Sequence, residues 1–397
     1  MTKEQQNDLD ILFEHVHQRN KTDKKFLSTI YSGYRRHKLW TNIFVRICIQ
    51  LLGFTLRPSN SSVKYFIWGT RFEELILTLP SNEVCVLGGP RQFIFCLKHR
   101  RLFLPSMKLW GDLAQGTVKR TLKIDKKIIN YIDHFGQKIS EKAAENAILV
   151  VDNDSQPMQR TIILAARRAK LKQDICIQHG IFQSKSAVDG WFAKQFFAIN
   201  EHQKSILVDK GIASDKIKIM GFHSSSYLPI RSIASPGKRK ICFFGQPWVK
   251  YSEKKAYRYL EIIQTAKRVL CESGYSMFYK LHPWERGAEY LRRLSDVVNV
   301  PLPVALERYD VFISLTSTAL LEAEMAGRIA IQIKDDTFNC DDFSCNYNVF
   351  TTTLQNFQKN HLEFINYHEV RNNDDVIQES AAERFKKQLY TNEVNNS

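Results

Sequence analysis

Short runs of apolar and β-branched residues recur along the chain, separated by longer polar or helical stretches, and no other feature limits the fold as much. Lys64–Thr70 (KYFIWGT), Glu83–Leu87 (EVCVL), Ala147–Val151 (AILVV) and Asp174–Gln178 (DICIQ) are such runs, with segments such as Met158–Lys172 between them. That alternation implies an α/β fold with a mainly parallel sheet. Phe196–Phe222 then reads as a strand, a helix stopped by Gly211, and a short strand ending at Gly221. A second α/β series begins at Lys240–Trp248 (KICFFGQPW), a strand ending in Gly-Gln-Pro. A helix over roughly Ser252–Ser273 follows, and the strand MFYKL then runs into His282-Pro283. Asp310–Leu315 (DVFISL) runs into TSTALLEAEMAG, and Ile329–Ile333 is the next strand. After about Thr351 the chain is polar, with one helical pattern near Gln378–Tyr390.

At 397 residues the chain exceeds one ordinary core and fits two domains. The Ser/Pro-rich basic stretch His223–Lys240 marks the boundary. The expected division is an N-terminal helical, membrane-surface segment over 1–60, a domain over 61–222, a linker over 223–240, and a domain over 241–397 that includes the C-terminal helix.

Composition narrows the partners more than the fold. With 44% hydrophobic and 25% charged residues the chain has the make-up of a globular protein, and its net charge of +16 favours anionic partners. The eight cysteines show no CxxC pair or zinc-ligand spacing, which fits small core residues in a reducing compartment. Met1–Asp23 lacks the basic start and apolar stretch of a secretory signal, so the expected location is cytoplasmic. Arg35–Arg57 has apolar residues at helical spacing, including Leu39, Trp40, Ile43, Phe44, Ile47 and Leu51. Arg46 and Gln50 interrupt it, and it falls short of spanning a bilayer. Over Leu39–Arg57 it suits a peripheral position on an anionic membrane or a helix packed on its own domain.

The chemistry-bearing residues cluster at predicted strand ends of the second series, where open α/β sheets bind ligands and helix N-termini offer free N–H groups to phosphates. His282 follows one strand, and Thr316, Ser317 and Thr318 follow another just before a helix. Hydroxyls and backbone N–H groups hold phosphate oxygens, and Lys280 and the His282 imidazole can stabilise the charge on a departing nucleotide. Gly245 and Gln246, which close the first strand of this series, join the expected nucleotide-binding set, and Glu322, one turn beyond Thr318, can accept from ribose hydroxyls. Each feature also has an ordinary structural use, as an N-cap or a turn.

KIKIMGF, ICFFGQP, FYKLHPWE and VFISLTSTALLEAEMAGRIAIQI resemble successive landmarks of the C-terminal half of GT-B-fold glycosyltransferases over about Phe196–Ile333. They are most similar to bacterial surface-polysaccharide enzymes with an HP motif and a later Ser/Thr motif. That group includes the sialyltransferases and polysialyltransferases of capsule and lipooligosaccharide synthesis and, more distantly, the teichoic-acid glycerophosphotransferases. The resemblance implies two Rossmann-like domains facing a cleft. His282 and Pro283 would contact the donor phosphate beside Thr316, Ser317 and Thr318, while the first domain carries the acceptor and the general base.

Two residues compete for the base. His179-Gly180, directly after a predicted strand, resembles the histidine-glycine step of the glycerophosphotransferases, and a neutral imidazole suits removal of a hydroxyl proton. Val188-Asp189-Gly190 is the nearest counterpart of the acidic pair that the sialyltransferases place before a glycine, with the first acid missing. Asp152-Asn153-Asp154 has the spacing of a metal-binding DxD, but a helix start at Asp154 or Ser155 before Pro157 accounts for it better, and no metal or other cofactor is expected. Lys98–Arg101 and Arg167, Arg168, Lys170 and Lys172 can face an anionic acceptor or solvent. No nucleic-acid-binding module is recognisable.

The expectation is a metal-independent glycosyltransferase that moves a sugar, foremost a CMP-linked acidic sugar such as sialic acid, to a capsule or lipooligosaccharide acceptor. Its partners would be the nucleotide-activated sugar, the glycan or glycolipid acceptor, and an anionic membrane surface. The alternatives are a CDP-polyol phosphotransferase of surface-polymer synthesis, a non-hydrolysing nucleotide-sugar epimerase, and a non-catalytic polysaccharide assembly protein.

Overall fold

The computed structural model describes residues 2–22, 61–106, 113, 121–154, 157–178, 180, 181, 191–221, 238–248, 253–282, 285, 294, 296–338, 341–345, 347–367 and 381–390. They divide into two compact units. The first holds the described residues up to 178, those of 191–221 and the closing helix; the second holds 180, 181 and 238–367.

The first unit opens with α1 (Lys3–Thr22) and continues β1 (Val63–Trp68), α2 (Glu73–Thr78), β2 (Val84–Gly88), α3 (Pro90–His99) and β3 (Leu102–Pro105). After α4 (Leu122–Lys142) come β4 (Ala143–Val151), α5 (Pro157–Arg168), β5 (Gln173–Ile177), β6 (Gln195–Ala198), α6 (Glu201–Asp209) and β7 (Ile217–Ile219). The seven strands form one sheet in the order β3-β2-β1-β4-β5-β6-β7, with every neighbouring pair parallel. Parallel strands need crossovers, and helices supplying them cover both sheet faces, so the strands read as near-continuous apolar runs. β2, buried at all five positions, is such a strand. Gly211 stops α6 as its sequence predicts, with φ +89, a conformation that costs a glycine nothing.

The second unit runs β8 (Ile241–Phe244), α7 (Glu253–Glu272), β9 (Met277–Lys280), β10 (Val297–Val298), α8 (Leu302–Arg308), β11 (Val311–Ser314), α9 (Ala319–Met325), β12 (Ile329–Lys334), β13 (Phe350–Thr353) and α10 (Leu354–Ile365). Its sheet order is β10-β9-β8-β11-β12-β13, again parallel throughout. Tyr259, Ile262, Ile263, Ala266 and Leu270 line one face of α7 at helical spacing and pack with Phe243, Tyr279 and Ile313 of the sheet. Each buried isoleucine, leucine or phenylalanine of this set contributes roughly 1.5–3 kcal/mol, and Ala266 less.

Both sheets have the doubly wound order 3-2-1-4-5-6, with β7 added to the first. The chain therefore reverses direction between β1 and β4 in one unit and between β8 and β11 in the other, which makes those gaps the topological switch points.

Both ends of the chain depart from the expected division. α1 packs on α4 and α5 within the first unit. Its Leu9, Leu12 and Phe13 are fully buried, and Arg168 of α5 pairs with Glu4 and, at 2.8 Å, with Asp8. The closing helix α11 (Ala381–Tyr390), read with the second domain, belongs to the first. Phe385 is buried against the rings of Tyr65 and Phe197, Arg384 Nε donates to the Met220 carbonyl at 2.8 Å, and Lys218 Nζ donates to the Gln388 carbonyl at 2.6 Å. Helical periodicity shows that α11 has an apolar face, but not which core that face completes.

Leu39–Arg57 lies outside the described residues, and among those described no helix is long and apolar enough to cross a membrane.

Candidate functional site

The carboxyl ends of β8 and β11 bring Gln246 and Thr316 together at the second switch point. Gln246 Nε2 donates to Thr316 Oγ1, and Gln246 Oε1 accepts the Thr316 backbone N–H at 3.0 Å. The buried Gln246 side chain is thus occupied in tying the two strand ends, so it positions Thr316. The expectation that it touches the nucleotide gives way to this tie, because Thr316 already engages both ends of the amide.

A second set of contacts shapes the loop carrying His282. The Gln246 N–H donates to Tyr259 Oη at 2.8 Å, the Tyr259 and Tyr279 hydroxyls lie 3.0 Å apart, and Tyr279 Oη donates to Glu285 Oε1 at 2.6 Å. With the Gln246 N–H as fixed donor and the carboxylate as acceptor, the two hydroxyl protons must both point toward Glu285. Glu285 Oε2 accepts the His282 backbone N–H at 2.7 Å, and the Glu285 N–H donates to the His282 carbonyl at 2.9 Å. Glu285 is 1% exposed. It holds the turn that presents His282, and the HP motif alone gave no sign of it. The acid three residues after the histidine, at the spacing of a turn closed by a side chain, was the available signal.

Gly245 sits inside this network. A Cβ there would lie 2.2 Å from Glu285 Oε2 and 2.8 Å from both the Lys280 carbonyl and the Tyr279 hydroxyl. The glycine is required by close approach within the protein, and its N–H donates to the Lys280 carbonyl at 2.8 Å.

Lys280 ends β9, opposite Phe244 in register. Burial pushes its ammonium below the ordinary lysine range, while the Glu322 and Glu285 carboxylates pull the other way. Among the described residues it makes no ion pair. Thr316, Ser317 and Thr318 are half-buried. Ser317 Oγ accepts the Ala319 N–H at 3.3 Å, and Thr318, at the N-cap of α9, makes no side-chain cap. α9 is only seven residues long, so the hydroxyls and Lys280 carry more of any anion binding than its dipole does. Lys280, His282, Thr316, Ser317, Thr318 and Glu322 therefore all belong to the switch-point end of one sheet. A half-buried cation that shares one sheet edge with three hydroxyls and a fixed turn suits a phosphate oxygen and a charge that grows on it.

His179, Asp189 and Pro283 lie outside the described residues. In the first unit, the structure gives Asp154 a role other than metal ligation or helix capping. Its buried Oδ2 accepts the N–H groups of Phe192 at 2.7 Å and Ala193 at 2.9 Å, and burial raises its pKa despite those bonds. Among the described residues no group of three His, Cys, Asp or Glu side chains is placed to hold a metal. The basic clusters are partly structural as well. Arg101 is buried and donates to the Leu79 carbonyl at 2.9 Å, and Arg167 grips Asp174 through two bonds of 3.0 Å.

The two doubly wound units define the fold as that of the GT-B class. No protein-family model matches the chain, and no curated protein matches it significantly. Solved structures share the fold. The UDP-GlcNAc 2-epimerase of Methanocaldococcus jannaschii, in complex with UDP-GlcNAc and UDP, superposes with a TM-score of 0.54 at 12% identity, covering 82% of this chain and 99% of its own. The Neisseria meningitidis UDP-GlcNAc 2-epimerase bound to UDP-GlcNAc gives 0.53 at 13% identity, covering 82% and 99%. The lipopolysaccharide outer core galactosyltransferase WaaB gives 0.50 at 12% identity, covering 83% and 99%.

Proposed function

We infer that this protein is a glycosyltransferase that uses a nucleotide-activated sugar, with the nucleotide diphosphate seated at the carboxyl end of the second sheet. The observation that carries this reading is Lys280, a half-buried cation without an ion pair among the described residues, beside a His282 turn clamped by a buried carboxylate. In this reading Lys280, His282 and the hydroxyls of Thr316, Ser317 and Thr318 surround the phosphates, and Glu322 accepts from the ribose. His179 or Asp189 takes the proton of an acceptor hydroxyl, that oxygen bonds to the anomeric carbon, and the bond from that carbon to the phosphate oxygen breaks. The negative charge on the leaving phosphate is met by Lys280 and His282.

The donor reading shifts with the structural relatives. Two of them are described with UDP or UDP-GlcNAc bound, which supports a uridine diphosphate sugar ahead of the CMP-linked acidic sugar. The acceptor in this reading is a glycan or glycolipid of the cell surface, reached from a peripheral membrane position. A non-hydrolysing epimerase is the second reading, favoured by the likeness to two such enzymes over nearly their whole length.

Thermal shifts with UDP, UMP, CDP, CMP, GDP and dTDP on the wild type, Lys280→Ala and His282→Ala test the site. A nucleotide at about 100 times its dissociation constant stabilises by about 2.7 kcal/mol. Stabilisation by UDP that both variants lose is expected; stabilisation by CMP alone restores the sialyltransferase-like reading, and no response to any nucleotide overturns the site. Product analysis with a UDP-sugar then separates transfer, which needs an acceptor, from epimerisation, which does not.

A further inference from the structure

A second cationic feature lies at the opposite end of the same sheet. The chain enters β8 through Lys238, Arg239 and Lys240, and Arg308 and Tyr309 lead into β11. With Phe278 of β9 these residues line an open cavity of about 530 Å³. Lys240 and Gly245 bracket β8, and five residues of extended chain at about 3.3 Å each separate them by roughly 16 Å. The sheet itself fills that distance, so a ligand at the switch point does not reach this cavity.

The lining includes four cationic side chains and no carboxylate. Two are fixed by the fold. Arg239 donates to the carbonyls of Ile365 and Tyr367, the latter at 3.1 Å, and Lys238 Nζ lies over the Tyr275 ring at 5.4 Å. A Cβ on Gly274 would come within 2.4 Å of Lys238 Nζ, so the glycine leaves the room that this ammonium occupies. Lys240 and Arg308 are exposed and make no ion pair among the described residues. Asp310, which follows Tyr309, accepts the Lys240 backbone N–H on Oδ2 at 2.9 Å, faces the buried Arg328 with Oδ1 at 4.0 Å, and partly offsets the charge of Arg239. Phe278 and Tyr309, with ring centres 5.3 Å apart, form an apolar wall that lowers the local dielectric and strengthens attraction to an anion.

We propose that this cavity is a second anion site, which takes a phosphate-bearing ligand through Lys238, Arg239, Lys240 and Arg308. Four converging cations leave excess positive charge around a single carboxylate, whereas a phosphomonoester or diphosphate balances them more closely. The volume falls in the range of small-ligand cavities, and the open mouth admits a free phosphate or one on a lipid headgroup.

The test uses the full-length protein and the double variant Lys240→Glu/Arg308→Glu, both substitutions at exposed positions, with equal melting temperatures as the check on folding. Both proteins also carry Lys280→Ala, which removes the contribution of the switch point. Inorganic pyrophosphate titrated calorimetrically is expected to bind at least tenfold more weakly to the double variant. In the second arm the proteins are sedimented with vesicles of equimolar phosphatidylglycerol and phosphatidylcholine. Loss confined to the vesicle arm assigns the phosphate to a lipid headgroup, and loss confined to pyrophosphate assigns it to a soluble ligand. Equal behaviour of the two proteins in both arms overturns the proposal. If the double variant unfolds, Lys240→Ala and Arg308→Ala are measured singly against the same criterion.

Discussion

Glu285 holds His282 by its backbone: one carboxylate oxygen accepts the His282 N–H at 2.7 Å while the other accepts the Tyr279 hydroxyl at 2.6 Å. The backbone that carries the imidazole is therefore fixed by a residue that need not touch the ligand. An amide in place of this carboxylate has one oxygen for two donors, and the hydroxyl chain back to the Gln246 N–H cannot reverse without orphaning a proton. Glu285→Gln is expected to cost about 1–3 kcal/mol of stability, because a buried donor loses its acceptor. Urea denaturation checks the loss. Weakening of UDP binding by about tenfold, equivalent to 1.4 kcal/mol, checks that the His282 turn has been released.

Gly245 gives a sharper steric test. Its missing Cβ would fall 2.2 Å from Glu285 Oε2, and the neighbouring groups are a backbone carbonyl and a buried hydroxyl with nowhere to move. Gly245→Ala is expected to destabilise by at least the roughly 1–3 kcal/mol of an overpacked core and to abolish nucleotide binding with it. A melting temperature equal to that of the wild type contradicts the placement of Glu285.

Much of the second unit was legible from residue order. The runs ICFF, MFYK and VFIS are β8, β9 and β11, and the residues after them meet at the switch point because parallel strands aligned in one sheet share a carboxyl edge. β10, at two residues, is too short to show a period, and β13 (FTTT) lies in a polar stretch where β-branched threonines are the only sign. The distinction between Gln246 as ligand and Gln246 as strand tie was also hidden. Sequence shows that an amide ends the strand, but only three-dimensional pairing shows that Thr316 already uses both ends of it. The roles of Glu285 and Asp154 were hidden for one reason, since a carboxylate in a loop looks solvated until the backbone N–H groups it accepts from are placed around it.

Asp154 supplies a test for the first unit. Its carboxylate is buried, its pKa is raised by that burial, and it accepts two N–H groups on one oxygen. Asp154→Asn keeps an acceptor and removes the charge, whereas Asp154→Ala leaves both donors unsatisfied at about 1–3 kcal/mol. A carboxyl whose folded pKa lies above its unfolded value binds its proton more tightly when folded. Its contribution to stability is full below the unfolded pKa and is lost as pH rises through the folded one. At neutral pH the Asn variant is therefore expected to equal or exceed the wild type, with the difference closing as pH falls through the raised pKa. Stabilisation of the wild type but not of the Asn variant by added Mn²⁺ returns Asp154 to a metal role.

Lys280 links the candidate site to pH. Burial lowers its folded pKa below the unfolded value, so the unfolded chain holds the proton more tightly and the free protein gains stability as pH rises from the folded pKa to the unfolded one. A diphosphate reverses the balance, because its charge favours the ammonium and binding takes up a proton wherever Lys280 was neutral. UDP affinity is expected to fall as pH climbs through the lowered pKa of Lys280. Lys280→Arg, whose guanidinium stays charged, is expected to flatten that fall even if it binds more weakly throughout. Calorimetry over the alkaline range, repeated in buffers of different ionisation enthalpy, reads both the affinity and the proton taken up. A wild-type profile that parallels that of Lys280→Arg means that Lys280 does not face the phosphate, and the switch-point site would then have to be rebuilt around His282 and the three hydroxyls.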